Sequence, residues 1–149
     1  VKLSAFNLRL DGHTLENIFQ SAKVFKHGGP YTDLLEVSPK EAKRDQRLQS
    51  SGALQAFRYQ GEDFPLVPKS AFYDYLYIRA VKESLTAEEM KTVLQYDYFT
   101  DIEFNPARSI NTQARTAALL KMMLEEYGEI PDFSRDEFIR YHEEHVYFE

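Results

Sequence analysis

Three four-residue segments of this sequence carry the pattern that begins an α-helix, and they constrain the fold more than any other feature. In "SPKE", Ser38 is the N-cap, Pro39 takes the first helical position and Glu41 completes a capping box. "TAEE", which starts at Thr86, and "SRDE", which starts at Ser134, repeat the Ser/Thr-x-x-Glu pattern. Each box supplies partners for backbone N–H groups that the start of a helix leaves unpaired. The sequence therefore predicts a mainly α fold.

The remaining segments agree with a single compact domain over residues 1–149. Apolar residues recur at helical spacing in Lys69–Ser84 and in Thr112–Tyr127, and Gly128 ends the second helix. Ala53–Gln60 and the following "GEDFPLVP" favour short extended segments around a turn. No linker, repeat or low-complexity tract divides the chain. We expect an α fold with a small extended or β element and a last helix within residues 130–149.

Composition excludes several classes of function. The formal charge of −6 argues against a protein that coats nucleic acid non-specifically, because that mode of binding needs many basic residues. The absence of cysteine excludes disulfides, thiolate metal sites and a cysteine nucleophile, and favours a cytoplasmic protein. No apolar run is long enough for a membrane span. Because the chain begins with Val, we expect native residues before it.

The segment "TLENIFQSAKVF", Thr14–Phe25, predicts an amphipathic helix capped by Thr14. On a helical wheel of about 100° per residue, Glu16, Gln20 and Lys23 share a stripe along the border of the apolar face. Glu16 and Lys23 would lie about 10 Å apart, a span suited to two groups that reach one ligand. The alternative is an ordinary solvated border.

A second segment concentrates positive charge. Lys40, Lys43, Arg44 and Arg47 stand at i, i+3, i+4 and i+7, so that one continuous helix would carry all four on one face. Arginine guanidinium groups bind phosphate oxygens in pairs, which favours a pyrophosphate or nucleotide ligand. The alternative is a solvated charged face.

Other segments are less specific. "HGGPYTD" has glycines that would let the backbone approach a ligand, and Tyr31 as a stacking surface, but a plain connection fits equally. "YDYFTDIEF" contains carboxylates, among them Asp101, that would supply a second acid or satisfy local backbone. "HEEH" lacks the zinc-binding HExxH spacing, so we expect His142 and His145 to be structural. No metal or cofactor is expected.

Taken in order, these motifs resemble the NADAR family, also called YbiA-like. "LSAFNL" resembles the family's opening "LSNF", "TLENIFQSAKVF" its "T-x-E-x-x-x-Q-x-x-K-F" segment, and "EAKRDQR" its "AKR-x-x-R". The resemblance covers about residues 3–123, although "EFNP" replaces the family's Trp-Gly pair. "GGPYTDLL", "GEDFPL" and "FTDIEFNP" are most similar to antitoxins paired with DarT-type DNA ADP-ribosyltransferases.

The resemblance implies an enzyme that cleaves the bond between ribose and an exocyclic amine. It implies removal of ADP-ribose from guanine in DNA, with a DarT-type toxin as partner. Independently of the resemblance, the lack of a long apolar run predicts no membrane association. Glu16 and Lys23 match the family's key acid and lysine, and lysine could form a Schiff base with the sugar. The expected substrate-binding residues are Asn7, Gln20, Tyr31, Lys43, Arg44, Arg47, Asp101 and Asn111. The alternatives are an N-glycosidase acting on phosphoribosylamino intermediates of riboflavin synthesis, and a non-catalytic ADP-ribose-binding module.

Overall fold

A long helix, α4 (Ala71–Ser84), forms the centre of the core. The computed structural model describes residues 8–66, 70–84, 86, 88–89 and 112–145. Within these ranges α4 contacts the strand Arg9–Leu10, the helix Leu15–Ser21 and two later helices. The helices are α1 Leu15–Ser21, a 3₁₀ helix Thr32–Glu36, α2 Pro39–Arg44, α3 Arg47–Ser50, α4 Ala71–Ser84, α5 Thr112–Tyr127 and α6 Arg135–His145. The strands are β1 Arg9–Leu10, β2 His13–Thr14, β3 Lys23–Phe25, β4 Leu54–Tyr59 and β5 Glu62–Phe64. The predicted mainly α fold with a small β element is confirmed.

Two antiparallel sheets flank the helices. β1 pairs with β2 through a turn at Asp11 and Gly12, whose φ angles of 54° and 82° suit a tight hairpin. The second sheet has the order β3-β4-β5, and Phe57 at its centre pairs with Lys23 on one side and Phe64 on the other. The extended segments predicted around residues 53–68 are therefore confirmed as β4 and β5, for the part that the structure describes.

An aromatic cluster joins this sheet to α4. The ring of Phe72 on α4 lies 4.8 Å from Phe57 and 4.9 Å from Phe64, measured between centroids. Phe72 is fully buried. Phe19 of α1 joins the cluster at 5.2 Å from Phe57. Such ring pairs add to the apolar area removed from water, and they fix α1, the sheet and α4 as one packed unit.

The three predicted N-caps form, although at Ser38 the Glu41 carboxylate accepts from the Ser38 hydroxyl instead of the backbone N–H of a full capping box. The backbone N–H of Glu41 donates to Ser38 Oγ at 3.1 Å at the start of α2. Glu137 donates to Ser134 in the same way at 3.2 Å before α6. Thr86 and Glu89 exchange both bonds of a box at 2.9 and 3.1 Å, but most of the helix expected after them lies outside the described residues.

Two helix predictions were wrong. The helix that begins at Leu15 ends at Ser21 rather than Phe25, because Lys23–Phe25 pair as a strand with β4. The basic helix ends at Arg44, and Asp45 takes an extended conformation with φ −60° and ψ 128°. The carboxylate of Asp45 accepts from the backbone N–H of Arg47 at 2.9 Å, a local turn that replaces continued helix.

Candidate functional site

Glu16 and Gln20 lie one turn apart on α1. Thr14 caps this helix through a bond from the backbone N–H of Asn17 at 3.1 Å, which places Glu16 in the first turn, where a carboxylate is favoured. Gln20 Nε2 donates to Glu16 Oε1 at 3.1 Å. Gln20 is 6% exposed, and its Oε1 has no hydrogen-bond partner among the described residues. The buried amide therefore holds the Glu16 carboxylate, which itself remains partly accessible.

Lys23 approaches Glu16 from strand β3, not from α1 as predicted. Its side chain is half-buried, and Nζ lies 5.1 Å from the centroid of the Phe19 ring, a cation–π distance. Burial lowers the pKa of the Lys23 ammonium below its usual value, and the negative charge of Glu16 partly opposes that shift. The structure thus brings the two predicted catalytic groups, Glu16 and Lys23, within electrostatic reach of each other.

The glycine loop after β3 packs against the lysine strand. Gly29 has a φ of +87°, and a Cβ there would collide with the backbone oxygen of Lys23. A Cβ at Gly28 would collide with the Tyr31 hydroxyl. These glycines therefore permit close approach between the loop and the protein's own backbone. Contact between these glycines and a ligand stays a prediction.

Tyr31 is engaged on its ring and at its hydroxyl. The hydroxyl forms a hydrogen bond with Ser51 Oγ. The Arg47 guanidinium lies 4.3 Å from the ring centroid, and the ring of Phe25 lies 6.3 Å away. Arg47 therefore covers a face of the ring that was predicted to stack on a ligand.

The basic residues divide into two groups. Arg47 donates to Asp33 Oδ2 at 2.7 Å and to Asp45 Oδ1 at 3.0 Å. Hydrogen bonds from Arg47 lower the pKa of both carboxyls, and both carboxyls raise the pKa of Arg47. By contrast, a further group of basic residues is exposed and makes no ion pair with any described residue: Lys40, Lys43 and Arg44. The predicted continuous basic face is wrong for Arg47, since α2 ends before it.

A buried Ser-His-Asp cluster elsewhere does not have the geometry of a nucleophilic triad. His142 Nε2 lies 2.9 Å from Asp74 Oδ2 and 3.3 Å from Ser70 Oγ. A triad needs the hydroxyl and the carboxylate on opposite ring nitrogens, whereas here both contact the same one. His142 and Asp74 are fully buried and link α6 to α4. The position agrees with the structural role expected for His142.

Sequence reasoning missed two residues beside the site. Asn17 is 3% exposed, and its Nδ2 donates to the carbonyl oxygens of Leu34 at 2.7 Å and Val37 at 2.8 Å. A buried asparagine after Glu16 thus fastens the 3₁₀ helix to α1. Tyr73 on α4 packs edge-on against Phe19, with centroids 5.7 Å apart. The sequence signal for Tyr73 was its place in a helix rich in aromatic residues, a pattern that does not separate site residues from core residues.

Three predicted substrate-binding residues, Asn7, Asp101 and Asn111, lie outside the described residues. Within the described part of the chain, no group of three or more His, Asp or Glu side chains is placed to hold a metal ion. A helix with the length and apolar character needed to cross the bilayer is likewise not found in that part.

The comparison with known families agrees with the motifs. The family model for the DarT1-associated NADAR antitoxin matches residues 1–147. The search of curated proteins returned no match. Because the family model spans nearly all of the sequence, the resemblance to the NADAR family is confirmed, and this chain belongs to the family of DarT1-associated NADAR antitoxins.

Proposed function

We propose that this antitoxin is a glycosidase that removes ADP-ribose from guanine bases in DNA and so reverses the modification made by a DarT-type toxin. The observation that carries the proposal is the pair Glu16 and Lys23. A partly accessible carboxylate, held by Gln20, lies within electrostatic reach of a half-buried lysine whose pKa is lowered by burial. A carboxylic acid and an amine that can lose its proton are the groups needed to open and transfer an N-linked sugar.

In the proposed reaction Glu16 first donates a proton to the ring oxygen of the ribose. The lone pair of the exocyclic nitrogen then forms a C=N bond as the ring opens. Neutral Lys23 adds to that carbon, its proton passes through Glu16 to the nitrogen of the base, and guanine leaves with its amine restored. The sugar is now a Schiff base on Lys23. Water adds to this carbon, Lys23 leaves, and the sugar ring closes, so the net reaction consumes one water.

The exposed cations of α2 would bind the pyrophosphate. Lys43 and Arg44 make no ion pair with a described residue, so a phosphate would not have to displace a carboxylate from them. Arg47 already contacts two carboxylates and the Tyr31 ring, and we assign it a structural role. It would bind a phosphate only after breaking its ion pairs with these carboxylates. Binding energy from the pyrophosphate would place the ribose carbon between Glu16 and Lys23.

The decisive experiment follows release of ADP-ribose from an ADP-ribosylated oligonucleotide by mass spectrometry. The wild-type chain is expected to release ADP-ribose, and Glu16→Gln and Lys23→Met to lose about a hundredfold or more in rate. Glu36→Gln and Lys26→Met are matched controls, because each removes an exposed charge on a neighbouring segment. The absence of release by the wild type would refute the proposed activity.

The lysine step has its own test. Borohydride reduction during turnover is expected to leave a sugar adduct on Lys23 and none on Lys26. If the wild type is active and no adduct forms, Glu16 activates water directly and the Schiff-base step is wrong. Release from a phosphoribosylamine but not from modified DNA would instead favour the metabolic N-glycosidase. Binding of ADP-ribose without any release would identify a non-catalytic module.

A further inference from the structure

Tyr73 is an exception on an otherwise buried helix. All residues of α4 from Ala71 to Ile78 are buried except Tyr73, which is partly exposed. Its hydroxyl makes no hydrogen bond with a described residue. Tyr75, two residues later, is buried, and its hydroxyl accepts from Arg79 Nη1 at 3.0 Å. Within the described part of the chain, the lack of a partner for the Tyr73 hydroxyl therefore distinguishes it from Tyr75.

The Tyr73 ring is fixed beside the proposed catalytic pair. Its edge packs on the Phe19 ring at 5.7 Å between centroids, and Lys23 Nζ lies 5.1 Å from the centroid of that same ring. Burial, followed by the charges of Glu16 and Asp74, raises the pKa of Tyr73 to about 12. The phenol is therefore neutral across the physiological range and able to donate a hydrogen bond.

The charge of Glu16 links the three groups of the site. The negative charge of Glu16 acts on Lys23 and also on Tyr73. Among the described residues, the charge that acts on Lys23 is that of Glu16, and those that act on Tyr73 are the charges of Glu16 and Asp74. Lys23 and Tyr73 therefore lie within electrostatic reach of the same carboxylate. If Lys23 attacks the sugar carbon and Glu16 transfers the proton, the neutral hydroxyl of Tyr73 beside them is a further group that can donate to the departing base.

We propose that Tyr73 is a further catalytic residue of this site, whose hydroxyl donates a hydrogen bond to the guanine as it leaves the sugar. The inference rests on the proposed glycosidase function. Guanine offers acceptors at O6 and N7, which a neutral phenol can contact. A hydrogen bond that strengthens as the bonding electrons return to the departing base would accelerate bond cleavage.

A binding experiment tests this role without relying on turnover. Tyr73→Phe is made in the Glu16→Gln background and titrated by calorimetry with an ADP-ribosylated oligonucleotide and, separately, with free ADP-ribose. We expect affinity for the oligonucleotide to fall about tenfold and affinity for ADP-ribose to stay unchanged. Tyr59→Phe is the matched control, since the Tyr59 hydroxyl is also partly buried but donates to Asp11 at the β1–β2 turn. Unchanged affinity for the oligonucleotide, or equal weakening for both ligands, would overturn the proposal.

Kinetics give the second readout. In the otherwise wild-type chain, Tyr73→Phe is expected to lower kcat for release by about tenfold to a hundredfold, while Tyr59→Phe keeps the wild-type rate. The thermal midpoint of each variant shows whether the fold is intact. Wild-type kcat and KM in folded Tyr73→Phe would overturn the catalytic role. If the wild type itself releases nothing, the proposed function fails, and the binding experiment still decides whether Tyr73 contacts the base.

Discussion

Glu16 and Asn17 are neighbours on α1, and we predict that substituting them separates activity from stability. Asn17 accepts a hydrogen bond from Thr14 Oγ1 at 2.5 Å and donates to two backbone carbonyls at 2.7 and 2.8 Å. At about 1 kcal/mol for each bond, Asn17→Ala should cost about 3 kcal/mol in the free energy of unfolding. For a chain of this size that loss lowers Tm by about 6–12 °C.

Glu16→Gln should behave in the opposite way. The glutamine amide oxygen can still accept from Gln20, so the only losses are the charge and its favourable position in the first helical turn, together under about 1 kcal/mol. Glycosidase activity should nevertheless fall by about a hundredfold or more. Urea unfolding measures the stability of both variants, and release of ADP-ribose measures the activity of the folded fraction.

A second substitution at position 17 separates lost bonds from lost volume. Asn17→Asp keeps the size of the side chain and the acceptor for Thr14, but it turns a carboxylate oxygen toward the carbonyls of Leu34 and Val37. We expect it to be at least as unstable as Asn17→Ala at neutral pH. The reasoning is refuted if Asn17→Ala unfolds within about 1 kcal/mol of the wild type, or if Glu16→Gln is equally destabilised.

Three further predictions concern charge and burial. Burial lowers the pKa of Lys23 in the folded protein below its unfolded value of 10.5. Between these two pKa values the unfolded chain binds one more proton than the folded chain, so the free energy of unfolding of the wild type should rise as pH rises through this range. Urea unfolding of Lys23→Met should lack this pH dependence. Arg47→Ala should lower Tm and raise the pKa of Asp33 in NMR titrations, because it removes the ion pair with that carboxylate. Arg44→Ala should keep the wild-type Tm and weaken ADP-ribose binding, measured by calorimetry. His142→Ala should cost about 3–5 kcal/mol in urea unfolding by removing the imidazole from a buried carboxylate, with wild-type activity in the folded fraction.

Features that depend on a few adjacent residues could be predicted from the sequence. The N-caps at Ser38 and Ser134 form because their donors and acceptors lie within one helical turn. Helix α4 was predictable because its apolar residues follow the helical period over 14 residues. In each case the information is local.

Features that depend on distant partners could not be predicted in this way. Lys23 became a strand residue because β4, some thirty positions later, offers the pairing partner Phe57. Arg47 does not lie on the basic face of α2, because its backbone N–H and its guanidinium both donate hydrogen bonds to the Asp45 carboxylate. Tyr73 belongs to the site only because α4 packs on α1. The sequence was enough to identify Glu16 and Lys23 as candidates, but their relative position depends on contacts between distant segments of the chain.

The placement of Lys23 on a strand also changes how a Glu16 variant must be interpreted. On a helix two turns from Glu16, the amine would titrate nearly independently of the carboxylate. In the structure the Glu16 charge raises the pKa of Lys23 against the larger effect of burial. Glu16→Gln removes that opposition, so the pKa of Lys23 falls further and more of the amine is neutral at pH 7. A loss of activity in this variant therefore cannot come from a protonated lysine, and it assigns proton transfer to the carboxylate itself.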